Sequence, residues 1–235
     1  ATFFVNPASA LIMTRYVLRV PPGAWLLQTA AGSTLGRMII RLGQRYGFRT
    51  LNVVRRREQA EELLRLGGTA AIAMNEGFLT ELGMNDLNDV LRVMALDTNE
   101  ESLTARVHAL TCGEGVRYAL DAVGGATGSE VVRTLGRDGR MVVYGTLASE
   151  PLSIDSRALM VGKKRIEGFW LSEWVRDQKP WTMLWLFRKI GKLIREGVLV
   201  SEVGKSFALT DIHAAVRQAA LPGRQGKVLL RMTTG

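Results

Sequence analysis

Residues 23–36, Gly-Ala-Trp-Leu-Leu-Gln-Thr-Ala-Ala-Gly-Ser-Thr-Leu-Gly, decide how the rest of the chain is read. Gly23 to Thr29 has the composition of a short apolar strand, entered from the turn Pro21-Pro22-Gly23. Ser33 to Tyr46 then reads as a helix stopped by Gly47. Between them lies Ala31-x-Ser33-x-x-Gly36, where the common dinucleotide fingerprint has three glycines. Only the last glycine is kept, so the pattern alone is weak and an ordinary strand-to-helix turn is its plain alternative. The context is stronger, because the first amides of a helix and its positive dipole end suit a pyrophosphate. Gly36 lets such a helix approach the sheet closely, and Gly32, Ser33, Thr34 and Leu35 are the residues expected to line the phosphates.

The next strand sharpens the expectation. Thr50 to Val54 reads as a strand, Arg57 to Leu66 as a helix closed by Gly67-Gly68. About twenty residues beyond the turn, an NAD-binding chain places an acid that bonds the adenosine ribose. Val54-Arg55-Arg56-Arg57 stands there instead, with no Asp or Glu before Glu58. An acid repels a 2′-phosphate, whereas guanidinium groups bond it strongly and often bidentately. Arg55, Arg56 and Arg57 therefore argue for NADP(H). One or two of them solvating the start of the next helix is the alternative, but it leaves the missing acid unexplained.

Further along, strands are expected at Thr69 to Ala73, Val116 to Val123, Arg140 to Tyr144 and Arg165 to Leu171, with helices near Ser102 to Leu110 and Ser129 to Leu135. Strands alternating with helices imply an α/β fold, a doubly wound parallel sheet of the Rossmann type. Interiors such as Met141-Val142-Val143 are apolar throughout, as expected where helices cover both faces. Arg165 to Leu171 is more polar and comes last, which makes it the candidate edge strand. Trp181 to Glu196 reads as an amphipathic helix with Gly197 as its stop; a helix at Asp211 to Ala220, capped by Thr210, and a strand at Lys227 to Arg231 follow. Within residues 75–98, Leu87, Val90, Leu91 and Met94 recur at helical spacing, so this acidic stretch reads as an extra amphipathic helix.

Composition narrows the function classes. The single Cys112 excludes an internal disulfide and any multi-cysteine zinc site, and with His108 and His213 the only histidines a metal site needs an unusual set of carboxylates. A reducing compartment fits. No apolar run approaches the ~20 residues needed to span a bilayer, so no membrane partner is expected. Of the net charge of +9, Met74 to Glu101 holds seven acids and one arginine, leaving +15 on the remainder. Such a surface attracts nucleic acid, anionic membranes or phosphorylated small molecules. Without a clustered aromatic platform, the last is favoured over nucleic acid.

Asn6-Pro7, the segment Ala30 to Gly36, and Arg165-Ile-Glu-Gly-Phe-Trp-Leu-Ser-Glu-Trp174 together resemble the zinc-independent medium-chain reductases, in the trans-2-enoyl-CoA reductase and quinone reductase branch. The resemblance covers nearly the whole chain, apart from the acidic stretch within 75–98, which it implies is an insertion. It implies that residues 1–20 connect to a catalytic domain, that 21–196 form the NADP-binding domain, and that 197–235 belong to the catalytic domain. It also implies cofactor contacts from Asn6; from Tyr144, Gly145, Thr146 and Leu147 at the end of the fifth strand; from Phe169, Trp170 and Leu171 beside the nicotinamide; and from Lys227. Trp170 and Trp174 are candidates for the wall of an acyl or enone pocket, with core packing as the alternative. Homodimerisation through edge strand 165–171 is implied, as is a cytoplasmic location with the mitochondrion as the alternative.

Family members are longer at the N-terminus and carry a catalytic tyrosine there, so none of Tyr16, Tyr46, Tyr118 or Tyr144 inherits that role. Ser33, His108 and Asp121 form no recognisable triad. The expectation is the NADPH-binding portion of an oxidoreductase that passes hydride to an enoyl-CoA, quinone or enone, with little turnover from this chain alone. A noncatalytic NADPH-binding sensor, a fragment of a zinc alcohol dehydrogenase and a nucleic-acid binder are the alternatives.

Overall fold

The computed structural model describes residues 4–74, 102–221 and 226–232. The chain opens with α1 (Val5–Ile12), continued by a π-helical turn at Met13–Val17. The alternating part follows as β1 (Trp25–Gln28), α2 (Thr34–Tyr46), β2 (Arg49–Val54), α3 (Arg57–Arg65) and β3 (Ala70–Ala73). It continues through α4 (Leu103–Leu110), β4 (Val116–Asp121), α5 (Gly125–Thr134), β5 (Leu135–Val143), α6 (Ser156–Met160) and β6 (Arg165–Gly168). After α7 (Leu171–Arg176) and α8 (Pro180–Arg195) come β7 (Val203–Ala208), a 3₁₀ turn at Leu209–Asp211, α9 (Ile212–Ala220) and β8 (Lys227–Arg231). The extra helix expected within 75–98 lies outside the described residues.

Among the described residues, six strands form one parallel sheet in the order β3-β2-β1-β4-β5-β6, the doubly wound order expected of a Rossmann-type fold. Successive strand residues face opposite sides, and both sides are packed. Leu26, Leu120 and Val142 join Leu11, Leu186 and Ile190 beneath α1, α2 and α8. Leu27, Ala119 and Met141 join Val107 and Val131 beneath α4 and α5. Each fully buried leucine here contributes roughly 1.5–3 kcal/mol relative to exposure. A polar ladder crosses this apolar core: Gln28 Nε2 donates to Asn52 Oδ1 at 2.7 Å and to the Gly36 carbonyl at 3.0 Å, and Asn52 Nδ2 donates to Ala70 O at 2.8 Å. It fixes β1, β2, β3 and the first turn of α2 to one another.

Several boundaries differ from the expectation. The edge strand ends at Gly168, not Leu171: Phe169 still donates to Val143 O at 2.8 Å, but β5 ends there and offers nothing further to pair. Leu171 instead opens α7. The helix expected from Ser129 starts at Gly125, because Gly124 at φ 73° and Gly125 at φ 54° turn the chain sharply into it. The fifth strand begins at Leu135, ahead of Arg140, and pairs with Val116 before a bulge. Thr210 does not cap the last helix; it lies in the 3₁₀ turn, and Asp211 holds the capping position without a side-chain bond. β7 was not expected. It pairs in parallel with β8 across α9, making a second, two-stranded sheet.

Candidate functional site

The carboxyl ends of β1, β2, β4, β5 and β6 gather along one edge of the large sheet. The turn after β1 is built by its own backbone. Ala30 adopts φ 48°, Ala31 N–H reaches Val53 O at 3.2 Å, and Ser33 N–H reaches Ala30 O at 2.9 Å. Ser33 Oγ then accepts from Gly36 N–H at 3.1 Å, capping α2. Its hydroxyl therefore has a structural task. Among the described residues, the N–H groups of Gly32, Thr34 and Leu35 meet no acceptor. A Cβ on Gly36 would lie 2.3 Å from Ala31 O, so only glycine permits the helix to start this close to the strand. Three unengaged donors, a helix N-terminus and a glycine-limited approach suit a pyrophosphate.

Beside this turn, β2 ends in Val54, and Arg55 and Arg56 follow it, both exposed. Among the described residues neither guanidinium makes an ion pair with an acid. Arg57 differs, since its Nε lies 3.0 Å from Glu61 Oε1 within α3. Arg56 N–H bonds Gln59 Oε1 at 3.3 Å, and the Gln59 amide sits where a Cβ on Gly32 would come within 3.3 Å of it. The arginine segment and the phosphate turn are thus neighbours.

On the other side, Asp121 ends β4 fully buried. Its Oδ1 accepts from Thr29 Oγ1 at 2.6 Å and Val123 N–H at 3.1 Å, and its Oδ2 from Gly124 N–H at 2.9 Å. Tyr144, Gly145, Thr146 and Leu147 lie over this turn, with Leu147 N–H bonding Ala122 O at 3.1 Å. A Cβ on Gly145 would meet Ala122 O at 2.8 Å. Leu147 is exposed, and Tyr144 is half-buried, its hydroxyl oxygen buried with no partner among the described residues. Burial pushes that phenol well above its ordinary value, and the Asp121 carboxylate adds to the effect.

The remaining sequence candidates lie on α1, just after β6 and at the start of β8. Phe169 is buried in the core under α8, and Leu171 packs against it. Trp170 is 68% exposed, whereas the Trp174 ring meets Tyr16 edge-on at 6.0 Å. Asn6 is half-buried on α1. Lys227 begins β8, opposite Val203, and its N–H bonds Glu202 O at 2.9 Å. Sequence reasoning missed Thr29, Asp121 and Arg37. Arg37 Nε donates to Gly32 O at 3.3 Å, and its other nitrogens meet Glu62 Oε2 at 2.7 Å and Glu202 Oε2 at 3.6 Å. Among the described residues no group of three or more His, Cys, Asp and Glu is placed to hold a metal, and no helix is long and apolar enough to cross a membrane.

The zinc-binding dehydrogenase family matches residues 34–188, which include the helix that opens at this turn and the strands that follow it. The chain belongs to that family. The relatives it resembles are described as enoyl reductases and quinone reductases. It is 29% identical to the human mitochondrial enoyl-[acyl-carrier-protein] reductase over 235 residues, covering 99% of this chain and 57% of that protein. A relative of the same description from Caenorhabditis elegans is 29% identical over 222 residues, covering 94% of this chain and 57% of its own. Among solved structures, a protein described as an NADPH:quinone reductase from Bacillus thuringiensis superposes with a TM-score of 0.82 at 26% identity, over 99% of this chain and 63% of that one. The chain spans less than two thirds of each of these relatives.

Proposed function

We propose that this chain is the NADPH-binding part of a reductase that passes hydride to a 2-enoyl thioester or to a quinone or enone. One observation carries the reading: three unengaged N–H groups at the start of α2 stand next to an arginine segment that lacks the acid an NAD site needs. In this reading Gly32, Thr34 and Leu35 bind the pyrophosphate through their backbone, Ser33 and Gly36 shape the turn, and Arg55 and Arg56 bond the 2′-phosphate, with Arg57 supporting them. Asn6, Tyr144 to Leu147, Phe169, Trp170, Leu171 and Lys227 complete the cofactor contacts. When bound, NADPH supplies the hydride. The chain's own part is to hold the dinucleotide along the sheet edge and keep water from its reactive end. No catalytic residue is assigned within it.

The names of the relatives support enoyl thioesters and quinones as acceptors, and the mitochondrial relatives support that compartment. Residues 1–20, 21–196 and 197–235 are proposed as connection, cofactor domain and catalytic-domain segment. Homodimerisation is proposed through the edge at 165–171, where among the described residues β6 pairs with β5 alone.

Calorimetric titration with NADPH and NADH, repeated with Arg55→Ala and Arg56→Ala combined, tests the reading. NADPH is expected to bind at least tenfold more tightly than NADH, with the preference abolished in the variant, since each lost charge-assisted bond is worth about 1.5–3 kcal/mol. Equal binding of both nucleotides by the unaltered chain would reject the cofactor assignment.

A further inference from the structure

Arg37 lies one turn into α2, and its side chain is only 12% exposed. It is held on three sides. Glu62 on α3 pairs with it at 2.7 Å, Glu202 just before β7 approaches at 3.6 Å, and Gly32 O accepts from its Nε at 3.3 Å. Glu202 is itself fixed by Arg41 at 2.9 Å, and Arg41 also reaches Val200 O at 3.5 Å. Of these partners, only Gly32 belongs to the phosphate turn. The guanidinium is therefore a strut with its far end in α3 and the C-terminal segment, and its near end on the carbonyl of the turn.

A peptide carbonyl and the N–H that follows it lie in one rigid plane. Gripping Gly32 O thus sets the orientation of the peptide between Gly32 and Ser33 and, through it, the start of α2, where Thr34 and Leu35 offer free donors. Glycine at 32 has no side chain of its own, so besides the backbone bonds of the turn it is Arg37 that holds this residue, through its carbonyl. A preorganised array of donors binds more tightly than one that must be ordered on binding.

We propose that Arg37 is a positioning residue for the dinucleotide. It aims the phosphate turn without touching the ligand, and Glu202 makes the C-terminal segment part of the cofactor site. The proposal rests on the NADPH reading above and assigns the pyrophosphate half of that site a determinant outside the fingerprint. It predicts a split between ligands. NADPH needs the aimed turn, whereas 2′-AMP carries only the phosphate expected to meet Arg55 and Arg56.

The test is titration of the purified chain, Arg37→Gln, Arg37→Lys and Glu202→Gln with NADPH by calorimetry and with 2′-AMP by NMR. Arg37→Gln is expected to weaken NADPH about tenfold or more, the scale of a lost charge-assisted bond. Its 2′-AMP affinity should stay within twofold of the unaltered chain. Arg37→Lys, which keeps the charge but loses the fork, should remain at least threefold weaker for NADPH, and Glu202→Gln should show a smaller loss of the same selectivity. NADPH affinity unchanged in Arg37→Gln, or an equal loss for both ligands, overturns the positioning role. If the unaltered chain binds neither ligand, the dinucleotide reading fails and takes this proposal with it; binding of both by the unaltered chain confines any failure to Arg37.

Discussion

The hydroxyl of Thr29 donates to the carboxylate of Asp121 at 2.6 Å, joining residues 92 positions apart at the ends of two adjacent strands. Both are fully buried, and Thr29 Oγ1 in turn accepts from Ala122 N–H at 2.9 Å. The pair ties the end of β1, from which the phosphate turn departs, to the glycine turn at the end of β4. A buried carboxylate is tolerated only when its lone pairs are engaged, and here three donors surround it.

Thr29→Val keeps the shape of the side chain and removes both bonds. It is expected to destabilise the chain by about 1.5–3 kcal/mol, the range for a hydrogen bond to a charged group. Thr29→Ser, which retains the hydroxyl, should recover most of the loss. Urea denaturation of the three proteins checks this, and a Thr29→Val loss under half a kcal/mol would show that water replaces the hydroxyl at no cost.

What the amino-acid sequence made legible follows from how local each signal is. The Gly47 stop at φ 76° and the arginines after β2 are each read from their immediate neighbours, and α2 and β2 end where that reading puts them. Thr29 and Asp121 were not legible as a pair. Their meeting requires β4 to lie beside β1, a fact of strand order that no spacing reveals. Arg37 and Glu202 meet only because the C-terminal segment docks on α2. β7 was missed because Val203-Gly204-Lys205-Ser206-Phe207-Ala208 lacks clear alternation and carries a glycine. The first turn of α5 was missed because Gly124-Gly125 reads as a loop until positive φ angles show it leading into a helix.

Gly36→Ala addresses the phosphate turn directly. The added methyl would lie 2.3 Å from Ala31 O and 2.7 Å from Ala31 C, atoms of the backbone that cannot swing aside. The turn must open, at an expected cost of about 1–3 kcal/mol, and the donors of Thr34 and Leu35 move with it. Thermal unfolding should show the destabilisation, and NADPH should no longer raise the unfolding temperature of the variant. A variant as stable as its parent and still stabilised by NADPH would contradict the close-approach role of Gly36.

Cys112 is exposed, with its backbone at φ 53°, a conformation that a side chain with a Cβ resists. It should react with a disulfide reagent in the native state, one equivalent per chain without denaturant. Cys112→Gly relieves the strain at some entropic cost in the unfolded chain, for a net gain of up to about 1 kcal/mol. A thiol that reacts only in urea would contradict its exposure.

Tyr144 offers a test by pH. Its ring packs on the core beneath α1, α2 and α8, and its hydroxyl is buried without a partner among the described residues. Burial first, and Asp121 second, raise its pKa above the ordinary 10.0. Below pH 10 the phenol is protonated in both folded and unfolded chains, so its contribution to stability is fully present there. As pH rises past 10, the unfolded chain loses the proton while the folded chain keeps it, and the balance shifts toward unfolding. Tyr16 and Tyr46, also raised by burial, act in the same direction, and Lys164 and Lys189, lowered by burial, act in the opposite one. All four remain in Tyr144→Phe, so the difference between the variant and its parent isolates Tyr144. At pH 8 the variant should equal the parent or exceed it by about 1–3 kcal/mol, the cost of an unsatisfied buried hydroxyl. Above pH 10 its advantage should widen steadily. A difference that stays flat from pH 8 to pH 11 in chemical denaturation would mean that the hydroxyl has a partner or reaches water.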